Sequence, residues 1–258
     1  MRTPSLAGKV AVVTGASRGI GKGIATVLGE SGVTVYVTGR TSAATPNAKS
    51  GTITSGTINE VADAITAAGG VGIAVRCDHA DDAQIEALFA QVKAEQGHLD
   101  ILVNNATTLG PDPFAPPPFW TKSLALAEQF TVSLRSAFVA SYYAAPLLVV
   151  ADGALVVNIS YYGAVSYQLD PAYGATKAGL DKLTFDMAQD FERYRVAVVS
   201  LWPGPDSYGE SHVLNLKDAG RREDAGKLRD PEILRASYRF ALWRSEIDVE
   251  VGKRRDRS

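Results

Sequence analysis

The chain has 258 residues, of which 46% are hydrophobic and 21% charged, with 26 basic and 28 acidic side chains and a net charge of −2. This length fits one large α/β domain with a substantial core, and the near-neutral charge excludes a general nucleic-acid binder. The single cysteine, Cys77, cannot close an intrachain disulfide, the N-terminus lacks the apolar stretch of a signal peptide, and the longest apolar runs are too short to span a membrane. We therefore expect a cytoplasmic protein with no membrane partner.

Short β-branched runs alternate with segments of helical periodicity along most of the chain. The predicted strands are 9–14, 33–38, 72–76, 100–103, 154–160 and 196–201, and the predicted helices are 19–31, 57–68, 81–96, 124–148 and 171–194. Five prolines between Gly110 and Trp120 require a loop there. The alternation predicts an α/β fold, a single-domain doubly wound parallel sheet with helices on both faces. That domain is expected to cover residues 1–258, with a possible helix at 231–243 and an ill-defined tail from about 244.

A glycine-rich segment, Thr14-Gly-Ala-Ser-Arg-Gly-Ile-Gly21, follows the first predicted strand and opens the first predicted helix. Glycines allow a sharp turn and a close backbone approach to a pyrophosphate at a helix N-terminus, where free N–H groups and the helix dipole favour negative charge. The segment therefore predicts a dinucleotide site that includes Gly15, Ser17, Arg18, Gly19, Ile20 and Gly21. A tight strand–helix turn without a ligand is the alternative.

The end of the second predicted strand indicates which dinucleotide is bound. A carboxylate there would bind the adenosine ribose of NAD, but the sequence reads Val37-Thr-Gly-Arg40. Arg40, together with Arg18 in the glycine turn, suits the additional phosphate of NADP(H). The sequence thus favours NADP(H) over NAD(H), with Arg40 as an ordinary solvated loop residue being the alternative.

Three residues at the carboxyl side of the predicted sheet suggest catalysis. Tyr173 and Lys177 are four residues apart on one predicted helix and therefore share a face, and Ser160 ends the preceding strand. The alternative is a surface Tyr–Lys pair and an unrelated serine.

These motifs, with Asn104-Asn-Ala106 and Pro203-Gly204, resemble the short-chain dehydrogenase/reductase superfamily in their order and spacing, and most resemble its dehydrogenase/reductase member 1 branch. The resemblance implies a Rossmann-like fold and interconversion of a carbonyl with an alcohol. Tyr173 would be the acid–base group, Lys177 would lower the pKa of Tyr173 and hold the nicotinamide ribose, and Ser160 would hold the substrate oxygen. The other cofactor contacts implied are Asp78, Asn105, Ala106, Pro203 and Gly204. Asp78 as a helix N-cap remains an alternative.

The sequence departs from the family pattern at three places. Ser133 stands where the resemblance implies a proton-relay asparagine, and Thr107 stands where glycine is usual. The segment Pro205-Asp-Ser207 lacks the apolar residue and threonine that usually follow Pro203-Gly204. We expect these departures to affect activity rather than the fold. They favour, as an alternative function, a dinucleotide-binding sensor or assembly partner with little catalysis.

The remaining predictions concern the substrate and partners. Several aromatic residues are expected near the site: Phe114, Phe119, Trp120, Tyr161, Tyr162 and Trp202. They predict either an apolar substrate pocket or, as the alternative, packing in the core and at a subunit interface. Small residues on the helix of Tyr173 fit either a homodimer or homotetramer, which the resemblance implies, or packing within one subunit. His79, His98 and His212 lack metal-ligand spacing and are interpreted as loop or surface residues, and no metal is expected.

Overall fold

Six parallel strands form a single sheet in the part of the chain that the structure describes. The structure is a computed structural model, and it describes residues 6–43, 56–111, 113 and 118–203. The spatial order of the strands is β3-β2-β1-β4-β5-β6, and every pair is parallel. The strands are β1 (Val10–Val13), β2 (Thr34–Gly39), β3 (Val71–Arg76), β4 (Ile101–Asn104), β5 (Leu155–Ile159) and β6 (Ala197–Leu201). The doubly wound parallel sheet predicted from the sequence is confirmed.

The helices cover both faces of this sheet because alternate strand residues point to opposite sides. The helices are α1 (Gly19–Glu30), α2 (Ile58–Ala67), α3 (Asp82–Gln96), α4 (Ser136–Leu148) and α5 (Pro171–Phe191). Val10 and Val12 of β1 belong to a core cluster with residues of α3, α4 and α5, whereas Ala11 and Val13 belong to a second cluster with residues of α1 and α2. β1 is therefore buried on both sides at the centre of the sheet.

The prediction of one long helix at 124–148 is wrong, because the segment is not a continuous α-helix. The segment begins with a 3-10 turn (Leu124–Ala127), continues as a π-helical stretch (Phe130–Arg135) and becomes α-helical only in α4. Apolar spacing over one turn does not distinguish hydrogen bonds to the fourth residue from hydrogen bonds to the fifth, so the sequence pattern could not show this change. Ser133 lies in the π-helical stretch and is buried.

The order of the connections predicts a crevice at the carboxyl ends of the central strands. After β1 the chain builds β2 and β3 on one side, and it then returns to place β4 on the other side of β1. The loops that follow β1 and β4 therefore diverge, and ligands of such sheets bind outside the carboxyl ends of the strands at this point. No helix among the described residues is long and apolar enough to cross a membrane.

Candidate functional site

Most of the predicted site residues follow the carboxyl ends of the strands, in the spatial order of the sheet. Across the sheet from β3 to β6 they are Asp78, Arg40, the glycine turn 15–21, Asn105 with Ala106, Ser160, and Pro203. Neighbouring strands lie about 4.8 Å apart, so the ends of β2 and β5 are roughly 14 Å apart along this edge. The edge is long enough to bind an extended ligand. Gly204 and the segment 205–207 lie outside the described residues, as do Phe114, His212 and the chain after Gly204.

The glycine turn is closely packed against the loop after β4. Gly15 has a φ of 66° and Gly19 a φ of 56°, in the left-handed region that favours glycine. A Cβ on Gly21 would lie 2.4 Å from Asn105 Nδ2, and a Cβ on Gly15 would lie 2.8 Å from the Cα of Ala106. No side chain fits at either position without displacing backbone or a bonded amide, so this turn needs glycine there.

Asn105 and Thr14 connect the two loops. The Asn105 amide donates hydrogen bonds to the carbonyl oxygens of Thr14 and Gly15, at 2.9 and 3.0 Å. The Thr14 hydroxyl accepts from the backbone N–H groups of Asn105 and Ala106, each at 2.9 Å, and donates to Val103 O. The Asn105 side chain therefore shapes the glycine turn, and Thr14 is a residue of this site that the sequence interpretation did not single out.

The N-terminus of α1 differs from those of the other helices that follow a loop. Thr57, Asp81 and Asp170 cap α2, α3 and α5 by accepting hydrogen bonds from the first backbone N–H groups. Arg18 occupies the same position in α1, and its side chain caps no N–H group. A helix N-terminus without a capping oxygen, behind a glycine turn, is suited to bind an anion through its N–H groups.

A buried histidine lies at the β2 end of the site: His79 is in a loop, one of the two predicted alternatives, but its side chain is not at the surface. Its Nε2 is 2.8 Å from the Thr38 hydroxyl, which donates to Val13 O, so Nε2 carries the hydrogen. Its Nδ1 is 3.9 Å from the Cys77 thiol. Burial, opposed by the charge of Asp78 and assisted by that of Arg40, lowers the pKa of His79 from 6.5 to about 4. This neutral histidine joins the ends of β1, β2 and β3.

Asp78 is not the N-cap of α3, so that alternative is wrong. Asp81 caps the helix by accepting from Ala83 N and Gln84 N. Asp78 instead accepts from Ala80 N at 3.0 Å through Oδ1, in a local turn after β3. Its half-buried carboxylate lies at the same edge of the sheet as Arg40.

At the other end of the site, β5 and α5 bring Ser160, Tyr173 and Lys177 together. The Lys177 ammonium donates to Ile159 O at 2.9 Å and lies 5.6 Å from the centre of the Tyr173 ring. The Ser160 hydroxyl donates to Lys177 O at 3.3 Å. All three side chains are buried. The three residues that the sequence predicted as a catalytic group are therefore neighbours at the end of β5.

Lys177 is an ionisable residue whose side chain is buried from solvent. Burial lowers its pKa from 10.5 to about 8, and the nearby carboxylate of Asp181 raises it in part. One of its three N–H bonds points to Ile159 O, which leaves two for other acceptors. A lysine whose pKa lies close to neutral pH can influence the protonation of a neighbouring phenol.

The backbone of Tyr173 is held at the first turn of α5. Asp170 caps the helix and accepts from Tyr173 N at 2.9 Å, and the Gln129 amide donates to both carboxylate oxygens of Asp170, at 3.3 and 3.2 Å. The Tyr173 ring packs over Gly163, where a Cβ would lie 2.6 Å from the ring. The Asp-Pro pair at 170–171 is a readable N-cap signal, but the sequence interpretation did not connect Gln129 with it.

Ser133, predicted as a catalytic residue, lies apart from these direct contacts. Its hydroxyl is 2.8 Å from the Thr107 hydroxyl and accepts from Thr108 N at 3.3 Å. Two positions that depart from the family pattern, 107 and 133, are therefore bonded to each other. Their contact fastens the loop after β4 to the π-helical stretch.

The aromatic residues are divided between the site and packing elsewhere. Trp202 follows β6 and donates to Asp181 at 3.2 Å, and its ring makes an edge contact with Tyr162 at 6.4 Å. Asp181, one turn after Lys177, thus orients Trp202, a role the sequence interpretation missed. Phe119 and Trp120 contact each other edge to face at 5.5 Å.

One of the small residues on α5 packs within the subunit. A Cβ on Gly179 would lie 2.8 Å from a methyl group of Leu134 of the same chain, so the absence of a side chain there serves this packing.

Comparison with known proteins agrees with this arrangement. The profile of the short chain dehydrogenase family matches residues 9–207. The chain belongs to this family. Human "Dehydrogenase/reductase SDR family member 1" is 40% identical over 204 residues, which cover 76% of this chain and 60% of the human protein. The match confirms the resemblance to that branch, and this chain spans about three fifths of the length of that relative.

Two solved structures are similar to this chain and differ in their bound cofactor. A metagenomic short-chain oxidoreductase in complex with NADP has a TM-score of 0.66 and 33% identity, over 78% of this chain and 84% of its own. A 7α-hydroxysteroid dehydrogenase complexed with NADH and 7-oxo glycochenodeoxycholic acid has a TM-score of 0.64 and 30% identity, over 78% of this chain and 72% of its own. The family and these relatives identify the chain as an NAD(P)-dependent oxidoreductase, and they do not indicate which of the two cofactors binds here.

Proposed function

We propose that this chain is an NADP(H)-dependent oxidoreductase that interconverts a ketone or aldehyde with an alcohol. The observation that carries the proposal is the position of the Lys177 ammonium, bonded to Ile159 O and 5.6 Å from the Tyr173 ring, beside Ser160. A buried amine next to a phenol and a hydroxyl, at the carboxyl edge of a parallel sheet, suits proton transfer to a carbonyl oxygen.

The described residues fit a dinucleotide. The glycine turn leaves no space for a Cβ at Gly15 or Gly21, and the N-cap residue of α1, Arg18, makes no side-chain cap within the described part of the chain, which favours the approach of a pyrophosphate to the backbone there. Ser17, Gly19 and Ile20 complete this turn. We assign Asp78 to the adenine, Asn105 and Ala106 to the adenosine ribose, and Tyr173, Lys177 and Pro203 to the nicotinamide half, and we add Gly204, outside the described residues, to that half from the family pattern.

The preference for NADP(H) rests on charge. Arg40 directly follows β2, Arg18 is half-buried in the glycine turn, and the end of β2 carries no carboxylate. Two guanidinium groups favour a 2′-phosphate through charge-assisted hydrogen bonds. The neutral state of His79 adds no competing positive charge beside Arg40.

In the proposed mechanism, the reduced nicotinamide supplies a hydride to the carbonyl carbon when it is bound. The Tyr173 hydroxyl gives its proton to the carbonyl oxygen, and the positive charge of Lys177 stabilises the phenolate that remains. The Ser160 hydroxyl turns from Lys177 O toward the substrate oxygen and donates a hydrogen bond to it. Ser133, with Thr107, keeps the π-helical stretch against the loop after β4 and serves as the relay position. In the oxidative direction, Tyr173 accepts the alcohol proton.

The remaining parts of the proposal concern the substrate and assembly. Trp202 and Tyr162 favour an apolar substrate, and Phe138, Tyr142 and Phe185, which are exposed on α4 and α5, favour a homodimer or homotetramer. We further propose that one domain contains both the cofactor and catalytic sites and that the protein is cytoplasmic.

A dinucleotide-binding protein without catalysis is the second candidate, and the altered relay position at Ser133 favours it. The test is to incubate the purified chain with NADPH and a panel of ketones, aldehydes and quinones, and to repeat the assay with Tyr173→Phe. Turnover that the substitution abolishes supports the proposal. Turnover that the substitution leaves unchanged overturns the acid–base role, and NADPH binding with no turnover of any compound supports the second candidate.

A further inference from the structure

The segment 118–135, which begins at the end of the proline-rich loop, contacts the start of α5 through two polar side chains. Gln129 donates from Nε2 to both oxygens of Asp170, and Lys122 donates from Nζ to Leu169 O at 3.2 Å. Neither contact follows from sequence proximity, since the partners are 41 and 47 residues apart. Both contacts reach residues that lie three or four positions before Tyr173.

The burial of the Gln129 side-chain amide is unfavourable for the stability of the fold. Its exposure is 0%, and among the described residues its Oε1 has no hydrogen-bond partner. An unpaired buried amide oxygen costs about 1–3 kcal/mol, and an apolar side chain of similar size would avoid that cost. The amide is therefore explained by its Nε2 group, which donates to both oxygens of a carboxylate that is itself 2% exposed.

Asp170 transmits this contact to the backbone of Tyr173. Its Oδ1 accepts from Tyr173 N at 2.9 Å as the N-cap of α5. The preceding residue, Leu169, has a φ of 59°, a strained value for a residue with a Cβ, and the Lys122 contact holds its carbonyl. Gln129 thus holds the carboxylate and Lys122 holds the carbonyl before it, so a shift of the first turn of α5 would strain both contacts.

We propose that Gln129 is a positioning residue for Tyr173, acting through the carboxylate of Asp170. The inference rests on the acid–base role proposed above for Tyr173. A displacement of a catalytic group by about 1 Å can reduce the rate by about 100-fold, so the position of this turn controls turnover more strongly than cofactor affinity. The glycine turn, which binds the dinucleotide, makes no contact with this pair among the hydrogen bonds of the described residues.

The test exchanges the amide and carboxylate groups between positions 129 and 170, first one at a time and then together. In Gln129→Glu, two carboxylates face each other, so we expect kcat to fall by about 10- to 100-fold while the Kd for NADPH, measured by fluorescence titration, changes less than about twofold. In Asp170→Asn the Gln129 amide can turn around and accept from the new amide, so we expect a loss of less than about threefold. In the double variant, the asparagine amide donates to the glutamate and its oxygen still accepts from Tyr173 N. We therefore expect most of the lost kcat to return.

Gln129→Met removes the donor without adding charge and keeps the volume of the side chain, so it tests the proposal if Gln129→Glu does not fold. We expect it to bind NADPH as the wild type does and to have a lowered kcat with a nearly unchanged KM for NADPH. The control is Gln189→Glu, at an exposed position near the other end of α5, which should leave kcat and Kd unchanged.

Two results would overturn the inference: a wild-type kcat in Gln129→Met, or a double variant no more active than Gln129→Glu. Failure of the proposed function has a different signature, because the wild type would then lack turnover or would be insensitive to Tyr173→Phe.

Discussion

Replacing Lys177 with methionine should stabilise the cofactor-free protein at neutral pH while abolishing its turnover. Burial lowers the pKa of Lys177 from 10.5 to about 8. In the folded protein the charged form is therefore disfavoured by about 3 kcal/mol relative to the unfolded chain. Methionine has a similar length and no charge, so it avoids this cost, but it also loses the hydrogen bond to Ile159 O, worth about 1 kcal/mol. We expect a net gain of about 2 kcal/mol in the free energy of unfolding.

The sign of this effect depends on pH. Between about pH 8 and pH 10.5 the unfolded chain binds the lysine proton and the folded protein does not, so the stability of the wild type rises with pH in that window. The variant has no such group. Its advantage should therefore disappear as the pH rises, and above about pH 10.5 the wild type should be the more stable protein by about 1 kcal/mol.

The assay is urea unfolding of the wild type and Lys177→Met, followed by tryptophan fluorescence at several pH values from neutral to alkaline. Lys182→Met is the matched control, since Lys182 lies on the same helix with its side chain 69% exposed. The control should show little change and no pH window. A Lys177→Met variant that is less stable than the wild type at neutral pH, or whose difference from the wild type is constant with pH, would refute the reasoning.

Three further variants test the two ends of the site. Ser160→Ala should lower kcat by about 10²- to 10³-fold without changing NADPH affinity, because one donor to the substrate oxygen is lost. A retained kcat would exclude that role. Arg40→Ser should weaken NADPH binding by about 10-fold or more and leave NADH binding unchanged, as measured by fluorescence titration. Equal losses for both nucleotides would contradict selection of the 2′-phosphate. Gly21→Ala places a Cβ 2.4 Å from Asn105 Nδ2, so thermal unfolding and NADPH titration should show about 1–3 kcal/mol lost in stability and weaker binding. An alanine variant that binds normally would show that the turn tolerates this crowding.

The strands and the order of the site residues could be predicted from the sequence because local signals define them. β-branched runs bounded by glycines or polar residues located all six strands, and the carboxyl ends of parallel strands necessarily meet at one edge. Placing Ser160 after β5 and Tyr173 and Lys177 one helical turn apart was enough to predict that they converge.

Other features depend on contacts between distant segments, which the sequence pattern does not encode. His79 lies in the loop after β3, as predicted, but the sequence does not show that its ring contacts Thr38 and is buried. Gln129 is of a residue type that is usually exposed, and only the fold shows that it pairs with Asp170. The π-helical stretch around Ser133 differs from an α-helix by one residue in its hydrogen bonding, a difference that apolar spacing does not resolve.

The most direct test of the proposed function measures the transfer of the hydride itself, as deuterium from labelled NADPH, instead of a reaction rate. The chain would be incubated with NADPH carrying deuterium at the transferable position of the nicotinamide and with a carbonyl compound from the panel, and the alcohol would be analysed by mass spectrometry. We predict deuterium on the carbinol carbon with the wild type and no labelled alcohol above background with Tyr173→Phe. Label in the product of both proteins, or in the product of neither, would contradict the account.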